Sequence, residues 1–108
     1  MICVKMDTRC MYFEMEGHAG YAPVGQDIVC AAASALACTL IAHITAIVPT
    51  QDVLECERSI GKCVLHVYPP KRKLRHRCRI VYAAIREGLE LLAAKYPENI
   101  RIICQRGG

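Results

Sequence analysis

The segment that most constrains this chain runs from residue 28 to residue 48: 21 consecutive residues without a charge, 17 of them apolar. In a chain of 108 residues such a run has to be enclosed by the rest of the protein or lie in lipid. Its content favours enclosure. Seven of the 21 are alanines, and Ser34, Thr39, His43 and Thr45 interrupt the remainder. Neither end carries the Lys, Arg or aromatic anchors of a membrane span. A helix about 30 Å long is therefore expected at the centre of a single domain over residues 1–108, covered on nearly every side by sheet and a neighbouring helix.

The flanking segments supply that cover. Ile2, Val4 and Met6 alternate with Cys3 and Lys5. After a turn at Asp7-Thr8-Arg9, Met11, Phe13 and Met15 alternate with Tyr12, Glu14 and Glu16, which predicts a β-hairpin with one buried face. Residues 52–58 and 62–68 flank Ser59-Ile60-Gly61 as a second hairpin. Leu54 and Cys56 are expected to face inward on its first strand. The register of its second strand stays open between Val64/His66 and Cys63/Leu65. Pro69-Pro70 ends this hairpin, and Leu74, Cys78, Val81, Ile85, Leu89, Leu92 and Tyr96 then recur at helical spacing until Pro97. A last short strand covers residues 100–104. The order ββαββαβ predicts an α+β fold, two helices packed on a largely antiparallel five-stranded sheet.

Charge is concentrated in one place. Lys71, Arg72, Lys73, Arg75, Arg77 and Arg79 fall within nine residues, and removing these six from the net charge of +4 leaves −2. The chain carries one basic patch and is not basic as a whole. Its eight cysteines would suit a secreted disulfide scaffold. The N-terminus, however, shows no basic leader followed by an apolar core, and no Cys-x-x-Cys or zinc-finger spacing occurs. Most of the thiols lie among aliphatic residues, so a cytoplasmic, reduced chain whose cysteines serve as small buried hydrophobes is expected. That reading places Cys38 in the core, two turns below Cys30.

Chemistry points to the start of the uncharged helix. Residues 17–25 hold three glycines and Pro23, a loop able to move. Asp27 is the natural N-cap and puts Cys30 in the first helical turn. Free N–H groups and the helix dipole favour a thiolate there. Those N–H groups are also candidate oxyanion donors. His18 lies twelve residues earlier, on a loop that must end where the helix begins, and can fold back over the thiol. Imidazole beside thiol is the minimum for nucleophilic acyl transfer. The plain alternative is a packing cysteine and a solvated histidine. His43, about 20 Å along the helix from Cys30, is a core or interface residue.

Gly17-His18-Ala19-Gly20, followed by Gly25-x-Asp27-Ile28-Val29-Cys30-Ala31-Ala32-x-Ser34-Ala35-Leu36, resembles the signature of the ribosomal-processing cysteine protease family Prp (YsxB-like). The likeness is specific over residues 17–36 and elsewhere one of length and element order. It implies a cysteine endopeptidase of ribosome maturation with His18 as general base, Cys30 as nucleophile and no metal or cofactor. Its substrate would be the precursor of bacterial large-subunit ribosomal protein twenty-seven, cut next to an aromatic residue to remove a short N-terminal extension. It also implies a homodimer.

Asp27 and Ser34 fall on motif positions with two readings each: cap or orienter of His18 for Asp27, thiol support or partner of an i−4 carbonyl for Ser34. Gly17, Gly20 and Gly25 read as the hinges of a flexible lid over the site. An apolar pocket beside the helix start would take the substrate's aromatic side chain, with Tyr21 a candidate wall. The basic run departs from the signature. It is either a solvated surface or an rRNA contact through Lys71, Arg72, Lys73 and Arg75, and it would repel a basic ribosomal protein. A noncatalytic RNA-binding module and a redox-active thiol protein are the rival functional classes.

Overall fold

In the computed structural model, which describes residues 1–23 and 25–105, the elements follow the expected order. They are β1 (Ile2–Asp7), β2 (Tyr12–Glu16), α1 (Ile28–Ile47), β3 (Val53–Ser59), β4 (Lys62–Val67), α2 (Arg72–Lys95) and β5 (Ile100–Gln105), with a 3₁₀ turn at Thr50–Asp52. The strands form one sheet in the order β3-β4-β2-β1-β5. Every neighbouring pair is antiparallel except β1 and β5, as a strand that returns through a long helix requires.

Alternation along β1 and β2 sets which face is buried. Ile2, Val4, Met6, Phe13 and Met15 point into the core, while Lys5 pairs with Glu14 on the opposite face at 3.9 Å. In β4, Cys63 pairs with Met15 and Leu65 with Phe13, so the register left open by the sequence resolves to Cys63 and Leu65 on the core side. Val64 is buried as well. Val29, Ala33, Ala37, Leu40, Ile41 and Ile44 of α1 and Cys78, Tyr82, Ile85 and Leu89 of α2 close the core over this face.

Three expectations fail here, for related reasons. Leu54 and Cys56 are exposed, because β3 is an edge strand beyond the reach of the two helices, and a register shift between Val53 and Glu55 breaks its alternation. Helix α1 is not covered on nearly every side. Two helices cannot wrap a third surface, so Ala31, Ala35, Cys38 and Ala42 face outward. The cysteines are free throughout, and only Cys63 and Cys78 are fully buried. Cys3 lies on the outer sheet face, Cys10 in the first turn, Cys38 on the open side of α1 and Cys56 on the edge strand, all exposed.

Tyr82 pins the far end of the fold. Its ring is fully buried, and its hydroxyl donates to the Met11 carbonyl at 3.0 Å, where the backbone takes a φ of 54°. That carbonyl also accepts the Val67 N–H at 3.2 Å, so Tyr82→Phe would remove one of its two hydrogen bonds, at a cost of about 1 kcal/mol. A melting temperature lower by roughly 4–8 °C is expected in a thermal scan; an unchanged value would mean that the Val67 N–H alone satisfies the carbonyl.

Candidate active site

Asp27 builds the entrance to α1 with both ends of its carboxylate. Oδ1 accepts the N–H groups of Val29 (3.0 Å) and Cys30 (2.9 Å), and its backbone carbonyl accepts that of Ala31 (3.0 Å). Oδ2 points the other way and accepts the N–H groups of Tyr21 (3.0 Å) and Ala22 (3.3 Å). One side chain thus caps the helix and fastens the loop to it. Desolvation pushes the Asp27 pKa up, but the N–H donors of Cys30, Ala22, Tyr21 and Val29 outweigh it and hold the group below its ordinary 3.8. Its contribution to folding is therefore present above the unfolded value and is lost as pH falls through the folded one. Of its two readings the cap is the one observed; His18 is not among its partners.

This arrangement narrows one expectation. The N–H groups of Val29, Cys30 and Ala31 are engaged by Asp27, so they are not free to receive an oxyanion.

Cys30 is half-buried in the first turn of α1. Its sulfur accepts the N–H of Ala19 at 3.2 Å, which brings the residue after His18 onto the thiol. His18 itself is exposed, and its ring lies against the β3–β4 turn. A Cβ on Gly61 would stand 3.2 Å from the His18 Nε2, so any other residue there would displace the ring by a few tenths of an ångström. The Gly17 N–H donates to the Gly61 carbonyl at 2.9 Å and fixes the same junction. Among the described residues no hydrogen bond joins His18 to Cys30. Such contacts commonly tighten only when substrate is bound.

Two cavities meet at this pair. One, of about 350 Å³, is lined by His18, Gly20, Gly25, Asp27, Cys30 and Ser34, among others. The second, of about 250 Å³, shares His18, Cys30 and Ser34 and extends to Gly17, Ile60 and Gly61. Ser34 is exposed on the cavity wall and makes neither of the hydrogen bonds weighed for it among the described residues. Burial pushes the Cys63 thiol, at the floor of the second cavity, above its ordinary value. Tyr21 lines neither cavity. It stacks edge-on against Tyr96 with ring centroids 5.4 Å apart, tying the loop to the end of α2.

The sequence pointed to His18, Cys30, Asp27, Ser34 and the loop glycines, and these gather at one place. It missed Gly61, which reads only as a turn residue, and Asn99, whose side chain donates to the Ala19 carbonyl at 3.0 Å across 80 residues of chain. The basic run does not join the site. It occupies the exposed start of α2, about 35 Å along that helix from Tyr96.

A family profile described as "Cysteine protease Prp" matches residues 1–101. No curated protein gave a match. Among solved structures the fold is similar to the ribosomal processing protease Prp of Staphylococcus aureus with a covalently linked product peptide (TM-score 0.79, 22% identity, 97% of this chain and 100% of that one). The same protease with a substrate peptide is also similar (TM-score 0.72, 22% identity, the same coverage). So is the Streptococcus mutans protein SMU.848 (TM-score 0.67, 22% identity, 98% of this chain and 93% of that one).

Proposed function

The chain belongs to the Prp family of cysteine proteases, and on that premise we propose that it cuts the N-terminal extension from a bacterial ribosomal protein precursor, with Cys30 as nucleophile and His18 as general base. The noncatalytic and redox readings give way to family membership. The observation that carries the assignment is the meeting of two cavities at His18 and Cys30. An extended peptide laid across the pair can place the side chains before and after its scissile bond in the two cavities.

In this reaction the Cys30 sulfur forms a bond to the scissile carbonyl carbon while the thiol proton passes to His18. The tetrahedral intermediate then expels the amine, which takes that proton and leaves an acyl-enzyme for water to hydrolyse. The substrate we propose is the extension on large-subunit ribosomal protein twenty-seven. Incubating the purified chain with the same organism's unprocessed protein and weighing the products tests this. A single cut that removes the extension is the expected result. An intact precursor, shown to carry the extension, would overturn the substrate.

We also propose that a second copy covers the open, uncharged face of α1 at Ala31, Ala35, Cys38 and Ala42. Sedimentation equilibrium should return twice the chain mass, and Ala35→Glu should return it to the single-chain mass. A single-chain mass for the unaltered protein at micromolar concentration would refute the pairing.

A further inference from the structure

Ala19 is buried, and both polar groups of its backbone are taken. Its N–H points to the Cys30 sulfur at 3.2 Å and its carbonyl accepts the Asn99 side-chain amide at 3.0 Å. Asn99 is itself held where α2 gives way to β5. Its N–H donates to the Tyr96 carbonyl at 3.0 Å, and its own carbonyl accepts the Ile2 N–H at 2.9 Å. Ala19 is therefore held from both sides, its N–H on the thiol and its carbonyl on a residue fixed to the start of the sheet.

A thiol protease needs a preorganised donor for the oxygen that becomes negative when sulfur adds to the carbonyl carbon. At the α1 N-terminus the N–H groups of Val29, Cys30 and Ala31, those nearest the thiol along the chain, are committed to Asp27. We propose that the Ala19 N–H is an oxyanion donor of this protease and that Asn99 is the positioning residue that holds it there. The proposal rests on Cys30 being the nucleophile.

At rest the N–H is satisfied by the sulfur. As the S–C bond forms, the π pair of the carbonyl moves onto its oxygen, two bonds from the sulfur, and the thiol proton goes to His18. A small turn of the His18–Ala19 peptide then carries its N–H from sulfur to oxygen, into the range of about 2.7–3.1 Å that such a donor requires. Collapse of the intermediate returns the pair to the carbonyl, expels the protonated amine and sends the N–H back toward the sulfur. Asn99 restrains the adjoining peptide group, across the Ala19 Cα, through its carbonyl, so the donor cannot drift from the thiol between turnovers.

The test uses the full chain and its Asn99→Ala, Asn99→Asp and Cys30→Ala variants. Asn99→Asp keeps the side-chain volume and sets a carboxylate against the Ala19 carbonyl, so it stands in should the alanine variant fold poorly. The probes are a peptide spanning the cleavage site of the organism's own ribosomal protein, its N-terminal half as an aldehyde, and the same half as a primary amide. The aldehyde adds to the thiol as a tetrahedral hemithioacetal, whereas the amide binds without bond formation.

Loss of a direct oxyanion donor costs roughly 100–1,000-fold, so withdrawing its restraint should lower kcat by about 10–100-fold. KM and amide affinity should stay within about twofold, and aldehyde affinity should fall in step with kcat. Wild-type kcat in both Asn99 variants would overturn the proposal. So would equal weakening of aldehyde and amide, which is what a merely loosened loop produces. Continued cleavage by Cys30→Ala would instead remove the nucleophile assignment on which the proposal stands.

Discussion

Cys30→Ala is expected to abolish measurable cleavage, with kcat reduced on the order of a million-fold, the size seen when the nucleophile of a covalent protease is removed. His18→Ala should cost about 100–10,000-fold, because the thiol must then lose its proton to water and the leaving amine has no acid. The double variant should be no worse than Cys30→Ala alone, since the two groups act in one step. Cys30→Ser is the most informative variant: it keeps the geometry but substitutes an alcohol, which ionises far less readily than a thiol. It should retain peptide binding and lose turnover.

Misfolding is a poor explanation for such losses here. His18 is exposed and Cys30 only half-buried, and the alanine at position 30 forfeits one acceptor for the Ala19 N–H, worth about 1 kcal/mol. Product mass from the precursor, read beside a thermal melt of each variant, checks the expectation. Turnover by Cys30→Ala within tenfold of the unaltered chain would remove the dyad from the reaction.

What the sequence could say about this site depended on how far its parts lie apart. Asp27 and Cys30 share one helical turn, and His18 sits on the loop that feeds it, so capping rules and loop length alone bring them together. Asn99 and Gly61 reach the same place only through the closed sheet, by way of the Ile2–Asn99 and Gly17–Gly61 hydrogen bonds. No periodicity or spacing connects them to residue 18.

The fold divides in the same way. Alternation in β1 and β2 marked the buried face because both strands are central. It misled at β3, where an edge position and a register shift decouple pattern from burial. The absence of charge in α1 read as burial all round. Alanine, threonine and cysteine are small enough to sit at a surface without a large hydrophobic penalty, and that is where Ala31, Thr39 and Cys38 stand.

The second large effect is expected at Gly17, immediately before His18. Its φ is 101°, and a Cβ built on it would run into the carbonyl oxygen of Met1, a backbone atom that cannot swing aside like a side-chain tip. Gly17→Ala thus combines a backbone conformation costing roughly 1–3 kcal/mol for alanine with an overlap costing about the same. A loss on the order of 3 kcal/mol corresponds to a melting temperature lower by about 12–24 °C.

Gly20→Ala separates the two contributions. Its φ is 68°, and a Cβ there meets nothing within 4 Å, so it should cost only about 1 kcal/mol. Activity should fall further than stability in Gly17→Ala, because relieving the overlap moves the His18 backbone, and a displacement near 1 Å in a catalytic group is worth about 100-fold. Assayed well below its melting temperature, Gly17→Ala should therefore be folded but about 100-fold slower, with Gly20→Ala close to the unaltered chain in rate. Were the two variants to melt together and cleave alike, the Met1 carbonyl would have to yield at no cost, and Gly17 would act as a hinge rather than as the fixed seat of the histidine.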